Sequence, residues 1–476
     1  MAAKTIYWYD FETFGRDPRR DRASQFAGIR TDEDLNIIGK PLVIYCKPAN
    51  DFLPSPGACL ITGISPQHAY KEGLNEAEFI GQIHRQFSQA GTCVAGYNSI
   101  RFDDELTRQL LYRNFHDPYE REWRHGNSRW DLIDMVRLCA ATRSQGINWP
   151  LKDDGANSFK LDQLTVSNGI GHENAHDALA DVIATIEMAK LIKSKQPKLY
   201  DYVYRLKNKK TVIAQIDKFN SQPFLHVSMM YPAKLGCLAL VAPICKHPTD
   251  SNGLIVCDLR QDPREWMDYS VAQLQYQLFT PQAQLKEGEK RLPLKTLHYN
   301  RCPVIAPLSV LSDEAADKFA IDKALCQKHG QLLQANPELL NKISQAFSQQ
   351  AMNKSDDPDF MIYSGGFFAE SDKKLMQVIR TSSPEDLATL NLPFRDSRLD
   401  EMLFRYRARN YFETLNEQER LRWQTFRLGR INDKDNREGF DKEMFEIEQG
   451  DLKPDDISVL TQLKAYIDSL KSQDIQ

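Results

Sequence analysis

Two acids, Asp10 and Glu12, interrupt the run Lys4-Thr-Ile-Tyr-Trp-Tyr-Asp-Phe-Glu-Thr-Phe-Gly15, whose aromatic and β-branched residues otherwise suit a half-buried strand. Alternation puts both carboxylates on one face, where their mutual repulsion is normally relieved by a cation. The pair alone is not diagnostic: Asp103/Glu105 and Asp441/Glu443 repeat its spacing outside strand-like runs, and a solvated edge strand is the ordinary alternative. A third acid, Asp103 in Asn98-x-x-x-Phe102-Asp103, falls where a strand passes into a helix, facing the crevice at a sheet's end. Standing alone it reads equally well as a helix-start acid favoured by the dipole. A fourth, Asp181, lies along a helix with Leu179, Val182, Ile183 and Ile186, where a carboxylate turned to the sheet is costly unless paired.

His176 precedes Asp181 by five residues, which is about 140° around a helix. The histidine therefore belongs on the loop or first turn. His172 and Asp177 repeat the spacing, which does not choose between the histidines; Asp177 reads as a helix cap. The chemistry that wants several carboxylates and one imidazole is phosphodiester hydrolysis. Two divalent ions about 3.5 to 4 Å apart activate water and stabilise the leaving oxygen. Mg²⁺ and Mn²⁺ suit such all-oxygen sites, and a neutral imidazole taking the water's proton is worth roughly 10² to 10⁴ in rate.

These residues need a sheet to carry them. Strands are expected at Ser24–Arg30 and Lys40–Cys46 around the turn Thr31–Asp34, then a short buried strand at Thr92–Gly96. Asn75 caps a helix with the stripe Phe79, Ile80, Ile83 and Phe87, Glu78 being placed for a capping box. Another helix follows Asp103 with Leu106, Leu110 and Leu111, and two more run from Asp131 to about Arg143 and from about Asp177 to Lys195, ended by Pro197. Strands alternating with helices imply a mixed α/β sheet. Beyond Pro197 a basic stretch leads to short strands at Pro223–Val227, Leu238–Val241 and Leu254–Cys257, the spacing of a small β-rich domain. Helical periodicity dominates from about Ser312, with Ser355–Asp359 as a linker.

A chain of 476 residues is too long for one core, and two or three domains are expected. The net charge of −4 draws in no nucleic acid by itself, so a polyanion site requires a local basic face. Nine scattered cysteines without a Cys-x-x-Cys point to reduced thiols in a cytosol-like compartment. No apolar run has the length of a bilayer span, and charges at Asp10 and Glu12 disqualify the N-terminus as a signal peptide. A cytoplasmic protein with no membrane association is expected.

Asp10-x-Glu12, Asn98-x-x-x-Phe102-Asp103 and His176-x-x-x-x-Asp181 resemble the three exonuclease motifs of the DEDDh class, 3′→5′ exonucleases on a ribonuclease H-like fold. Tyr9–Gly15, Leu60–Pro66, Tyr97–Asp104, Asn127–Leu132, Gly146–Pro150 and Tyr406–Asn410 extend the likeness to the bacterial exodeoxyribonuclease I family along nearly the whole chain. The resemblance implies three domains: an α/β exonuclease domain over 1–196, an SH3-like β domain over 197–351 and a helical domain over 354–476. It further implies a positive channel closed around single-stranded DNA, digestion from the 3′ end to 5′-mononucleotides, and a role in DNA repair or recombination.

By position, Asp10, Glu12, Asp103 and Asp181 would bind two Mg²⁺ ions, Glu12 would also touch substrate, and His176 would be the general base. Lys160 stands where the family has a substrate-binding arginine; it keeps the charge and loses the bidentate fork. Arg143 and Tyr202 match a pocket for the acidic, hydrophobic tail of single-stranded DNA-binding protein, whereas Pro307, Ser312 and Gln334 depart from that pocket's pattern. Between Arg395 and Arg430, arginines interleave with Phe404, Tyr406, Tyr411, Phe412, Trp423 and Phe426, as base stacking with backbone neutralisation would require; the bland alternative is a helical domain with a solvated basic face.

The expectation is a monomeric Mg²⁺-dependent 3′→5′ single-strand DNA exonuclease. An RNA-trimming or proofreading relative would need only the first domain, and a dead scaffold would not retain all four acids and the histidine.

Overall fold

The strand that carries the first two acids is β1 (Thr5–Thr13), and its alternation is the one its sequence demands. Tyr7, Tyr9 and Phe11 turn into an apolar core with Phe26, Phe79, Phe87, Leu106 and Leu110, which leaves Asp10 and Glu12 on the opposite face. In this computed structural model, which describes residues 4–172, 177–348 and 355–471, β1 pairs antiparallel with β2 (Ala23–Thr31) and parallel with β4 (Thr92–Gly96). With β3 (Ile37–Tyr45) and β5 (Ser128–Asp131) they form a mixed sheet of order β3-β2-β1-β4-β5. The parallel register runs from Thr5↔Thr92 to Trp8↔Ala95, and β1 continues past the end of β4. Asp10 and Glu12 therefore stand at the carboxyl end of the parallel pair, where the crevice of an α/β sheet lies. A bulge between Glu12 and Thr13 ends the regular ladder with β2.

The chain divides into two compact units: Met1–Ser128 with Glu173–Ile183 and Asn353–Gln476, and Arg129–His172 with Ala184–Met352. In the first, the Asn75 side chain accepts from Glu78 N–H at 2.9 Å to start the helix Glu76–Phe87, whose Phe79, Ile80, Ile83 and Phe87 are buried as the stripe predicts. The second contains an antiparallel sheet of order β10-β6-β7-β8-β9, formed by β6 (Phe224–Val227), β7 (Leu238–Lys246), β8 (Gly253–Asp258), β9 (Leu294–His298) and β10 (Val304–Pro307).

The helix Ala178–Lys195 ends ahead of Pro197 as expected, but Pro197 also opens a new one, Pro197–Arg205, and the basic stretch beyond it is helical again over Lys209–Lys218. Proline at the first helical position is preorganised and loses no hydrogen bond. The polar Ser355–Asp359 segment is not a plain linker: it enters a 3-10 turn, Pro358–Phe360, and Asp359 is 1 % exposed. Arg409 donates to it at 2.5 Å and to the fully buried Asp51 at 2.7 Å, with Arg405 and Arg430 adding to the cluster. Composition marks a polar Pro-containing stretch as loop; only guanidinium groups distant in sequence make its burial tolerable.

Candidate functional site

Carboxylate oxygens of Asp10, Glu12 and Asp181 lie within 4.8 Å of one another. Asp181 arrives on the first turn of Ala178–Lys195, where Asp177 accepts from Ala180 N–H at 3.1 Å as its cap. The helix start is tied to the sheet by Ala178 N–H, which donates to Gln25 Oε1 at 3.4 Å, and Gln25 is the cross-strand partner of Glu12. Asp103 opens the helix Asp103–Arg113 and is buried. Its oxygens fall outside the close trio, yet its charge acts on Asp10 more strongly than that of any other acid.

Burial and then Asp103, Asp181 and Asp177 push the Asp10 carboxyl well above the usual range, with Phe11 N–H opposing. Burial and then Asp10, Asp181 and Asp177 push Glu12 up to about 9. The charges weighing most on both are other carboxylates. An all-oxygen donor set held together against its own repulsion fits a hard divalent cation, which would restore the ionised forms.

His176 lies outside the described residues. His172 Nδ1 lies 3.1 Å from Thr165 Oγ1. Lys160 is exposed at the N-cap position of the helix Leu161–Ser167. In the same unit Arg143 donates to the Val310 carbonyl at 3.0 Å and Tyr202 Oη to the Ile305 carbonyl at 3.0 Å, so both meet the β10 region. Burial pushes the Tyr202 phenol up to about 12.

The arginine-rich C-terminal segment is not the open stacking face that its interleaving suggested. Phe404, Tyr406 and Trp423 are buried, Arg405 stacks over Phe426 at 4.1 Å and Arg422 over Phe404 at 4.0 Å. Arg407 pairs with Glu419 at 2.6 Å and Arg398 with Asp396 at 2.7 Å. These rings and charges serve one another first. Residues that sequence reasoning did not single out are Gln25, Asp51 and Asp359. Gln25 had a faint signal, a polar side chain on a strand neighbouring β1; the two buried acids had none.

Family models match three consecutive stretches: an exonuclease domain over residues 7–189, an exonuclease I SH3-like domain over 207–349 and an exonuclease I C-terminal domain over 356–470. The chain is 46% identical to the exodeoxyribonuclease I of Haemophilus influenzae over 90% of each sequence. It is similar to the structure of a moderately thermophilic exonuclease I from Methylocaldum szegediense (47% identity, TM-score 0.93, covering 99% of this chain and 100% of that one). A zinc-bound Escherichia coli exonuclease I–single-stranded DNA complex superposes with TM-score 0.94 at 41% identity, covering 99% of this chain and 100% of that one.

Proposed function

As the chain belongs to the exodeoxyribonuclease I family, we propose that it digests single-stranded DNA from the 3′ end to 5′-mononucleotides, acting as a cytoplasmic monomer in DNA repair or recombination. The observation that carries this is the meeting of Asp10, Glu12 and Asp181 at the end of the β1–β4 pair, in a chain whose likeness to the family spans three domain models. Domain limits of 1–196, 197–351 and 354–476 go with it.

Asp10, Glu12, Asp103 and Asp181 would hold two Mg²⁺ ions, whose place Mn²⁺ could take. Bound cations supply charge stabilisation of the cleaved phosphodiester and activation of water. Glu12 also contacts the terminal nucleotide, and Lys160 neutralises a substrate phosphate as a point charge. His176 takes the proton of the attacking water. Arg143 and Tyr202 receive the acidic, hydrophobic tail of single-stranded DNA-binding protein beside β10.

Single-stranded DNA labelled at its 5′ end, incubated with and without Mg²⁺, tests the activity. A ladder that shrinks from the unlabelled end only with Mg²⁺ is expected; prompt release of labelled mononucleotide would reverse the polarity, and a metal-independent ladder would remove the ions. His176→Ala should lose more activity than His172→Ala; equal loss in both, or greater loss in His172→Ala, would overturn His176 as the base.

A further inference from the structure

Each of two site acids has a sequence neighbour that turns the other way, and these neighbours meet. Tyr9 precedes Asp10 on β1 and points into the core; Asp104 follows Asp103 and is buried in the first turn of Asp103–Arg113. Tyr9 Oη donates to Asp104 Oδ1 at 3.1 Å. Arg121 Nη2 donates to the same oxygen at 2.6 Å, and its guanidinium lies over the Phe87 ring at 5.1 Å. Tyr9, Asp104 and Arg121 are 2, 1 and 1 % exposed. Phe87 also meets the Tyr9 ring edge-on at 5.0 Å, so one aromatic side chain braces two of the three members.

The turn between β4 and the helix is closed by its own backbone, and its start lies close against β1. Asp104 N–H donates to the Ser99 carbonyl at 2.9 Å. A Cβ on Gly96 would lie 2.7 Å from Ser99 Cβ and 3.0 Å from the Tyr9 carbonyl oxygen, so only glycine admits this approach.

We infer that Tyr9, Asp104 and Arg121 are positioning residues for the metal site: a buried strut that holds the Asp10 backbone on β1 and the Asp103 backbone at the helix start at one spacing. The inference rests on the metal-site reading of Asp10 and Asp103. Mutually repelling carboxylates drift apart unless their backbones are restrained, and a hydrogen-bonded tie on the dry side restrains them without occupying the crevice. Arg121 neutralises the carboxylate that makes the tie, so the strut adds no net charge behind the site. A buried ion pair that merely supports the fold would have the same contacts but no hold on cation affinity.

The test is a calorimetric Mn²⁺ titration of the full-length protein and of Tyr9→Phe, Asp104→Asn and Asp10→Asn, with melting temperatures measured without metal. Tyr9→Phe keeps the ring and deletes only the hydroxyl, and is expected to weaken Mn²⁺ binding about five-fold while its metal-free melting temperature moves by no more than about 2 °C. Asp104→Asn should weaken binding more. Wild-type Mn²⁺ affinity in Tyr9→Phe, whatever its melting temperature, overturns the strut. Should Asp104→Asn not fold, Tyr9→Phe decides alone. Asp10→Asn separates the two levels: if it binds Mn²⁺ like the wild type, the metal site itself is wrong; if it loses binding while Tyr9→Phe does not, only the strut is.

Discussion

Asp181 is the acid that closes the site, because it alone comes from a segment remote from β1 and shares the 4.8 Å cluster with Asp10 and Glu12. Removing its charge lessens the repulsion that lifts Asp10 and Glu12, so Asp181→Asn should be no less stable than the wild type without metal. It should nevertheless lose roughly 10² to 10³ in turnover, the scale of deleting one preorganised electrostatic group. Thermal unfolding gives the sharper check. Saturating Mn²⁺ should stabilise the wild type by a few kcal/mol, about 2.7 at a hundred-fold excess over Kd, and the shift should shrink markedly in Asp181→Asn. An undiminished shift would place the cation elsewhere.

At the level of elements, β1 does two jobs with one periodicity. Its apolar face anchors the sheet, and Phe11, 5 % exposed between Asp10 and Glu12, packs its ring 4.9 Å from Phe26. Phe11→Ala should lower stability by about 3–5 kcal/mol, as a buried aromatic truncation does, read from the midpoint of urea unfolding. Strand alternation alone makes this face legible in the sequence, since Tyr7, Tyr9 and Phe11 can be satisfied only by a core. The Arg395–Arg430 segment is not legible in the same way. Helical spacing shows which residues share a face, but not that Arg405 and Arg422 spend their charge on Phe426, Phe404 and neighbouring acids.

Across the first unit as a whole, buried ion pairs join segments from 37 to 379 residues apart. Asp51 and Asp359 share Arg409 and Arg430, and Glu76 takes Arg113 at 3.0 Å and Arg22 at 3.3 Å. Despite desolvation, the guanidinium groups hold Asp51 and Asp359 below the usual carboxylate range and Glu76 at about 2. A depressed folded value contributes stability that is present above the unfolded value, near 4.5 for Glu76, and is lost as pH falls toward about 2. Acid unfolding of the wild type should therefore steepen between those limits. Glu76→Gln should flatten that part of the profile while costing about 3–5 kcal/mol at neutral pH, because Arg22 and Arg113 stay buried without it; urea midpoints across pH would reveal either failure.

The sequence by itself determined which residues could do the chemistry and which elements would carry them. Side-chain period in β1, a helix start at Asp103 and a helix through Asp181 are local consequences of φ/ψ and of burying one face. Only the tertiary structure decided that Asp181 closes on Asp10 and Glu12, that Asp104 turns inward to Tyr9 and Arg121, and that Asp359 is buried among arginines. Each of these sets a charge among groups from other elements of the chain. Local spacing carries no record of such partners, because a buried charge is tolerable only through neighbours that folding brings to it.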